Sequence, residues 1–157
     1  MNRTLPSQEK IVLQSIGFVR TDSIGDEVKD KNRTSHIVLH SEFAEALDGI
    51  GGFSHLLVLF WLHGISEIQR QTLKVHPRGR RNLPLLGIFA TRTMFRPNPI
   101  GLTLVELIKV KSNVLTVRGL DAFNGTPVLD IKPFDSWDKA EYTKVPDWCV
   151  KLEREKA

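Results

Sequence analysis

The chain has 157 residues, of which 41% are hydrophobic and 25% are charged, and it carries a net charge of +4. This length and composition are typical of a globular protein with a single core, and the basic balance is compatible with a polyanionic partner such as RNA. Cys149 is the only cysteine, which excludes an intrachain disulfide and a zinc cluster of thiolates and favours a reducing compartment, the cytoplasm.

The first part of the chain is predicted to form two strands joined by a polar loop. Residues 11–20 and 35–40 are rich in β-branched and aromatic residues, which favour strands. Residues 21–34 have no apolar periodicity and are predicted to be the loop. Residues 1–10 are polar and do not resemble a secretory signal.

A short helix and a strongly apolar strand are predicted next. Ser41 is a candidate N-cap, Phe43 and Leu47 lie four residues apart on one face, and Gly49 is a plausible end of the helix. Residues 53–63 are almost continuously apolar, which predicts a central strand buried on both faces. This segment is much shorter than the ~20 residues that span a membrane, so no membrane-spanning helix is expected.

Polar and basic residues follow this strand. His63 lies at its end, where ligand sites often form in β-rich folds. Residues 67–81 are polar and basic, and residues 76–81 within them are predicted to be a flexible basic loop. Its arginines are candidates for phosphate contacts, and the alternative is an ordinary solubilising loop.

Residues 87–101, GIFATRTMFRPNPIG, form the most distinctive stretch of the chain. Arg92 and Arg96 follow a short apolar segment and precede a stiff turn at Pro97 and Pro99. A guanidinium group can bind an anion or a base with two parallel hydrogen bonds. The stretch therefore predicts a recognition loop, with two solvated arginines as the alternative.

The second half of the chain is predicted to be mostly strands. Residues 101–111 and 114–120 form a predicted β-hairpin, Asn124-Gly125 signals a type I′ turn, and residues 127–131 form another short strand. About seven strands and one short helix indicate a mainly β fold, either a barrel or a sandwich.

Two carboxylates in this half are candidate functional groups. Asp121 and Asp130 both lie at the ends of apolar strands, where an acidic side chain is either paired or functional. Arg92, Arg96 and Lys132 are possible partners. The spacing of histidines and carboxylates matches no metal site, so no metal is expected, and no serine nucleophile motif is present.

Three of these segments resemble one family. Residues 87–101, residues 53–63 and residues 119–133 are similar to the signature of the TsaA-like (TrmO) family. The resemblance covers about residues 11–138. The arginine-proline motif is long and irregular, so it is highly specific.

The resemblance implies a single-sheeted β-barrel that binds S-adenosylmethionine, forms a homodimer and methylates N6 of threonylcarbamoyl-adenosine beside the tRNA anticodon. It implies one domain over residues 1–157, with its core at 11–138 and a C-terminal tail at 139–157. Carried over by position, the residues that would bind the cofactor are His63, Gly64, Arg92, Leu102, Arg118, Gly119, Leu120 and Asp121.

A direct displacement is the reaction that we expect of such a protein. The reacting nitrogen must be aligned behind the methyl group, and Asp121 or Asp130 is the candidate acceptor of its proton. The residues expected to bind tRNA phosphates are Arg78, Arg80, Arg81 and Arg96.

The chain also departs from the family pattern. Thr93 stands where serine is usual, and Asn124 replaces an aspartate. A Pro-Arg-Gln segment of bacterial members has no firm counterpart, although Arg33 is a candidate, and the chain ends where bacterial members continue into a further domain. The alternatives are a non-catalytic barrel that binds S-adenosylmethionine or RNA, and a methyltransferase acting on another RNA or a small molecule.

Overall fold

The computed structural model describes residues 10–155, with the side chains of residues 153 and 154 excepted. The strands are β1 (Gly17–Arg20), β2 (Thr34–Leu39), β3 (His55–Trp61), β4 (Lys74–Val75), β5 (Leu86–Gly87), β6 (Ile100–Lys111), β7 (Val114–Arg118) and β8 (Pro127–Pro133). The α-helices are α1 (Glu67–Arg70) and α2 (Asp147–Arg154).

Six of the strands close into an antiparallel barrel in the order β1-β2-β7-β6-β3-β8, and β4 and β5 form a separate two-stranded sheet. The prediction of a mainly β barrel is therefore confirmed, with six strands in the barrel rather than about seven. The barrel closes between β1 and β8 through two residue pairs, Gly17 with Val128 and Phe18 with Pro127.

The core is the interior of the barrel, and each strand contributes alternate residues to it. In β3, Leu56, Val58 and Phe60 are buried, whereas the residues between them are only partly covered. The prediction that this strand is buried on both faces is therefore wrong. A closed barrel has one interior, so a strand buries one face and leaves the other at the surface.

A β-bulge in β6 determines which residues of this long strand face outward. Leu107 pairs with Val117, but the next residue of β7, Thr116, pairs with Lys109 rather than with Ile108. The extra residue reverses the alternation of side chains beyond it. Val110 consequently packs against the core, and Lys109 faces outward.

Several local predictions differ from the structure. The predicted helix after Ser41 is a series of 3₁₀ turns, Ser41–Phe43, Glu45–Leu47 and Ile50–Gly52, and none of them has a side-chain cap. Gly49, with φ of 84°, interrupts the run, and short segments of this kind are commonly 3₁₀ turns. Leu47 is nevertheless buried, as its apolar pattern predicted.

Regular structure also occurs where none was predicted. The basic segment contains α1, which begins with a capping box between Ser66 and Gln69, and β4. The tail contains α2, whose Leu152 is buried. Gly125 has a positive φ but Asn124 does not, so the turn there is not type I′, which needs positive φ at both residues. Among the described residues, no helix has the length and apolar character needed to cross a membrane.

The strand directions bring the long connections to one end of the barrel, which we call the loop end. The last residues of β1, β3 and β7 and the first residues of β2, β6 and β8 lie there. The connections 21–33, 62–99 and 119–126 therefore start and finish at the same place. These three connections contain most of the residues proposed from the sequence as a site.

Candidate active site at the loop end of the barrel

Arg92 is fixed to the beginning of β6. Its Nη2 atom donates a hydrogen bond of 2.7 Å to the carbonyl oxygen of Leu102. Both side chains are exposed, and the guanidinium group has further donors available for a ligand. The structure thus brings together two of the residues expected at the cofactor site.

Asp121 is held by Thr103, the residue that follows Leu102 in β6. The hydroxyl group of Thr103, which is buried, donates a hydrogen bond to Oδ1 of Asp121. Oδ2 of Asp121 lies 3.8 Å from Nζ of Lys31, and 42% of the Asp121 side chain is exposed. The carboxylate is therefore oriented from one side and accessible from the other, and its charged partner is Lys31 rather than either predicted arginine.

The connection between β1 and β2 covers the backbone that leads to Asp121. The amide of Gly119 donates to the carbonyl of Arg33 at 3.0 Å, and Nζ of Lys31 donates to the carbonyl of Gly119 at 2.9 Å. Gly119 has φ of 85°, and a Cβ atom there would lie 3.2 Å from the carbonyl oxygen of Lys31. Glycine is required here for both conformation and space.

The other residues of this segment have different surroundings. Arg118 forms an ion pair of 2.8 Å with Glu106 on the outer face of the barrel. Leu120 is buried in the core, so only its backbone can face a ligand. Asn124 accepts a hydrogen bond of 3.1 Å from the amide of Thr21 through Oδ1. An aspartate would offer the same oxygen, so this interaction does not depend on the substitution.

His63 and Gly64 follow β3 at the loop end, and both are exposed. The amide of His63 donates to the carbonyl of Trp61 at 2.8 Å. A Cβ atom at Gly64 would meet no other atom within 4 Å. These two residues therefore leave open space beside the strand.

Asp130 is paired within its own strand. Its carboxylate lies 2.7 Å from Nζ of Lys132, and the hydrogen bond to Asp130, together with the attraction of its charge, raises the pKa of Lys132. Asp130 is opposite Leu59 in β3, and Leu59 is opposite Leu102 in β6. Asp130 thus lies in the same cross-strand row as Leu102, two strands away.

Arg96 is used mainly inside its own loop. Its Nη1 atom donates to the carbonyls of Ile88 and Thr91 at 3.3 and 3.1 Å, and its guanidinium group lies 5.5 Å from the centre of the Phe89 ring. These contacts organise the loop around Arg92.

The basic segment after β4 is a closed turn rather than a flexible loop. Nδ1 of His76 lies 2.8 Å from the carbonyl oxygen of Leu83, and Arg78 has a left-handed φ of 54°. Arg80 is paired with Glu155 of the C-terminal segment. Arg78 and Arg81 are exposed.

The sequence matches one family model over most of this architecture. Residues 24–138 match the tRNA-methyltransferase O N-terminal domain. The chain belongs to this family. The match includes every residue of the site described above, from Lys31 to Asp130.

The relatives of this chain in the tRNA-methyltransferase O family differ in length. A probable S-adenosyl-L-methionine-binding protein of Methanothermobacter thermautotrophicus is 41% identical over 133 residues, which cover 82% of this chain and 93% of the relative. The tRNA (adenine(37)-N6)-methyltransferase of Escherichia coli is 42% identical over 111 residues, 68% of this chain and 47% of that enzyme.

Solved structures of the family have the same fold. The crystal structure of TrmO from Pseudomonas aeruginosa superimposes with a TM-score of 0.69 at 28% identity, covering 87% of this chain and 62% of that one. The chain thus spans less than two thirds of the TrmO structures that it resembles.

Lys31 and Thr103 are the site residues that sequence reasoning missed. Thr103 was inconspicuous inside an apolar strand, although a lone hydroxyl at a core-facing position is a signal that it bonds a buried or fixed partner. Lys31 lies in a polar loop whose docking no local pattern reveals. In the part of the chain that the structure describes, no three histidine, cysteine, aspartate or glutamate side chains gather as a metal site would require.

Proposed function

We propose that this protein is an S-adenosylmethionine-dependent methyltransferase that modifies N6 of an adenosine in tRNA, threonylcarbamoyl-adenosine beside the anticodon. The observation that carries the proposal is that Arg92 and Asp121 are bound to consecutive residues of β6, Leu102 and Thr103. A cation and a carboxylate are thereby fixed at one end of the barrel, in a family that contains the Escherichia coli tRNA methyltransferase.

The residues present have the chemistry that the cofactor needs. S-adenosylmethionine supplies an electrophilic methyl group on a positively charged sulfur. Its carboxylate suits the free donors of Arg92, its adenine suits the exposed side chain of Leu102, and the charge of Asp121 favours a cationic ligand. The exposed residues His63 and Gly64 would line the same cofactor site.

The chain's main task in this reaction is alignment, because the methyl group is already activated. Asp121 is the better candidate to receive the proton from the reacting nitrogen. It is held by Thr103 and remains accessible, whereas Asp130 is engaged by Lys132 at 2.7 Å. The contact of Thr103 orients the carboxylate before the substrate arrives.

The proposed tRNA contacts are exposed cations near the loop end. Arg78 and Arg81 have no acidic partner among the described residues, so both are free to contact phosphates. Arg80 would have to leave Glu155 to contribute, and Arg96 contributes through the shape of its loop.

The test of the cofactor site is calorimetry with S-adenosylmethionine. Arg92→Ala should raise the dissociation constant about tenfold or more, since a hydrogen bond to a charged group is worth ~1.5–3 kcal/mol. Arg81→Ala is the control, because it removes the same charge from another surface. Equal affinity of Arg92→Ala and the unmodified protein would remove Arg92 from the site.

The test of the reaction is transfer of a labelled methyl group to bulk tRNA, followed by nucleoside analysis. Label in a methylated threonylcarbamoyl-adenosine supports the proposal, and Asp121→Asn should lower the rate more than Asp130→Asn. Cofactor binding without transfer to any RNA indicates a binding barrel. Transfer to another nucleoside or to a small molecule indicates the third alternative.

We also propose that the protein is a homodimer through the outer face of β3 and β6. The pairs Leu57 with Leu104, Leu59 with Leu102, and Trp61 with Ile100 form an apolar band there, and Leu102 and Leu104 are 46% and 44% exposed. Monomers rarely leave such a contiguous apolar patch uncovered. Because the band includes Leu102, a second copy would border the cofactor site.

Light scattering after gel filtration tests the dimer. Leu104→Glu should give a monomer, and Leu73→Glu, at a residue that is 74% exposed elsewhere, should not. A monomer at every concentration of the unmodified protein contradicts this part of the proposal. A tRNA substrate would place the protein in the cytoplasm.

A further inference from the structure

A row of polar and basic side chains crosses the outer face of the barrel, in a groove that extends to the turn between β6 and β7. Arg20 pairs with His36, His36 pairs with Thr116, and Thr116 pairs with Lys109. The row thus passes over β1, β2, β7 and β6. With strands ~4.8 Å apart, it extends over ~14 Å.

These side chains line a shallow groove of about 440 Å³. The groove continues to Lys111 and Asn113 at the turn between β6 and β7. Nδ1 of His36 lies 3.2 Å from the hydroxyl oxygen of Thr116, which fixes the middle of the row. Arg20, Lys109 and Lys111 are exposed on either side of it.

The bulge in β6 creates this arrangement. In a regular strand Ile108 would face outward beside Thr116, and both lysines would point into the barrel. The extra residue reverses the alternation, so that Lys109 and Lys111 face the solvent and Val110 packs against the core. A basic surface on this face therefore depends on one inserted residue.

In the part of the chain that the structure describes, no acidic side chain forms an ion pair with the cations of the groove. Among residues 10–155, Arg20, Lys109 and Lys111 form no ion pair. The adjacent carboxylate of Glu106 is paired with Arg118. The groove thus offers three uncompensated cations, Arg20 and Lys109 at the two ends of the row and Lys111 two residues further along β6, together with polar groups between them. A line of cations is complementary to the repeating charge of a polynucleotide backbone.

We propose that this groove binds the phosphate backbone of RNA, as a second contact surface of the tRNA substrate. The inference rests on the proposed function for the identity of the RNA. Along β6, Lys109 lies six residues from Thr103, whose hydroxyl group is bonded to Asp121, which is roughly 20 Å by strand geometry. One RNA molecule can therefore occupy the groove while a base reaches the loop end. The outer face of a barrel is a known kind of platform for RNA.

The test compares two double variants with equal loss of charge. Lys109→Gln with Lys111→Gln removes two cations of the groove, and Lys139→Gln with Lys144→Gln removes two exposed lysines elsewhere. The affinity for bulk tRNA is measured over a range of salt concentrations. The groove variant should bind more weakly, with a salt slope lower by about 1 to 2, and its KM for tRNA should rise at unchanged kcat. The control pair should retain the slope of the unmodified protein.

Calorimetry with S-adenosylmethionine shows that both variants are folded, since neither pair touches the proposed cofactor site. An unchanged slope in the groove variant, or an equal fall in both variants, would overturn the inference. It would also be overturned if the unmodified protein bound polyglutamate, representing an acidic protein partner, but no RNA. Groove-dependent tRNA binding without methyl transfer would support the groove and refute the proposed reaction. Methyl transfer with an unchanged KM in the groove variant would support the proposed reaction and refute the groove.

Discussion

The bond between Thr103 and Asp121 gives the sharpest test of the site. Thr103→Val preserves the shape of a side chain that is 5% exposed and removes the hydroxyl group that orients Asp121. A hydrogen bond to a charged acceptor is worth ~1.5–3 kcal/mol. Because 42% of the Asp121 side chain is exposed, water can replace part of the bond, and we expect a loss of about 1 kcal/mol of unfolding free energy. For a domain of this size that lowers Tm by about 2–4 °C.

The same substitution should affect catalysis more than stability. A carboxylate that loses its orientation by an ångström can cost up to about a hundredfold in rate, so we expect methyl transfer to slow by about ten- to a hundredfold with little change in cofactor affinity. Thr126→Val is the matched control, since Thr126 is also buried and forms no hydrogen bond to Asp121. It should leave the rate unchanged.

A double-mutant cycle with Asp121→Ala separates a local bond from a general loss of stability. The two substitutions should be coupled by about 1 kcal/mol in unfolding free energy, and their effects on rate should not add. Additivity within about 0.3–0.5 kcal/mol, or an equal fall in rate for Thr126→Val, would refute the reasoning.

Three further predictions concern backbone and loop geometry. Gly119→Ala should destabilise the protein by about 1–3 kcal/mol and weaken cofactor binding, because it strains a left-handed residue and presses on the carbonyl of Lys31; denaturant unfolding and calorimetry measure both. Arg96→Ala should increase hydrogen exchange of the loop amides and lower cofactor affinity without altering the barrel, whereas a purely RNA-binding arginine would leave exchange unchanged. Gly101→Ala would place a Cβ atom 2.3 Å from the buried ring of Phe60 and should cost about 1–3 kcal/mol; Phe60→Leu in the same chain should restore part of the stability, and failure to do so would show that the ring is not the obstacle.

Strong local patterns were sufficient to predict much of the barrel. The hairpin of β6 and β7 was predicted with its connection, because two apolar runs flank a short polar turn, and the structure has Ser112 there with φ of 52°. Arg92 and Leu102 were expected together from the family resemblance, and the structure joins them by a hydrogen bond.

Features that depend on distant parts of the chain were not predictable. The partner of Asp121 is Lys31, 90 positions earlier in the sequence, and the long-range pairing of β2 with β7 brings them together. The bulge at Ile108 is a property of the register between β6 and β7, and no local pattern around Ile108 signals it. The prediction of a helix after Ser41 was wrong for the opposite reason: the apolar spacing is realised by 3₁₀ turns, which bury Leu47 and pack a partly exposed Phe43 against the core.

The closure of the barrel between β1 and β8 also constrains how the chain can fold during synthesis. Within the barrel that residues 10–155 form, the pairs β1-β2 and β6-β7 are the ones that join strands adjacent in sequence. The free edge of β2 pairs with β7 only after β7 has been synthesised, and the seam between β1 and β8 forms only after Pro127 and Val128 have left the ribosome. Such long-range pairing makes folding slow. Since the seam has two residue pairs, and Pro127 in one of them has no amide to donate, it should be the last part of the sheet to form and the first to open.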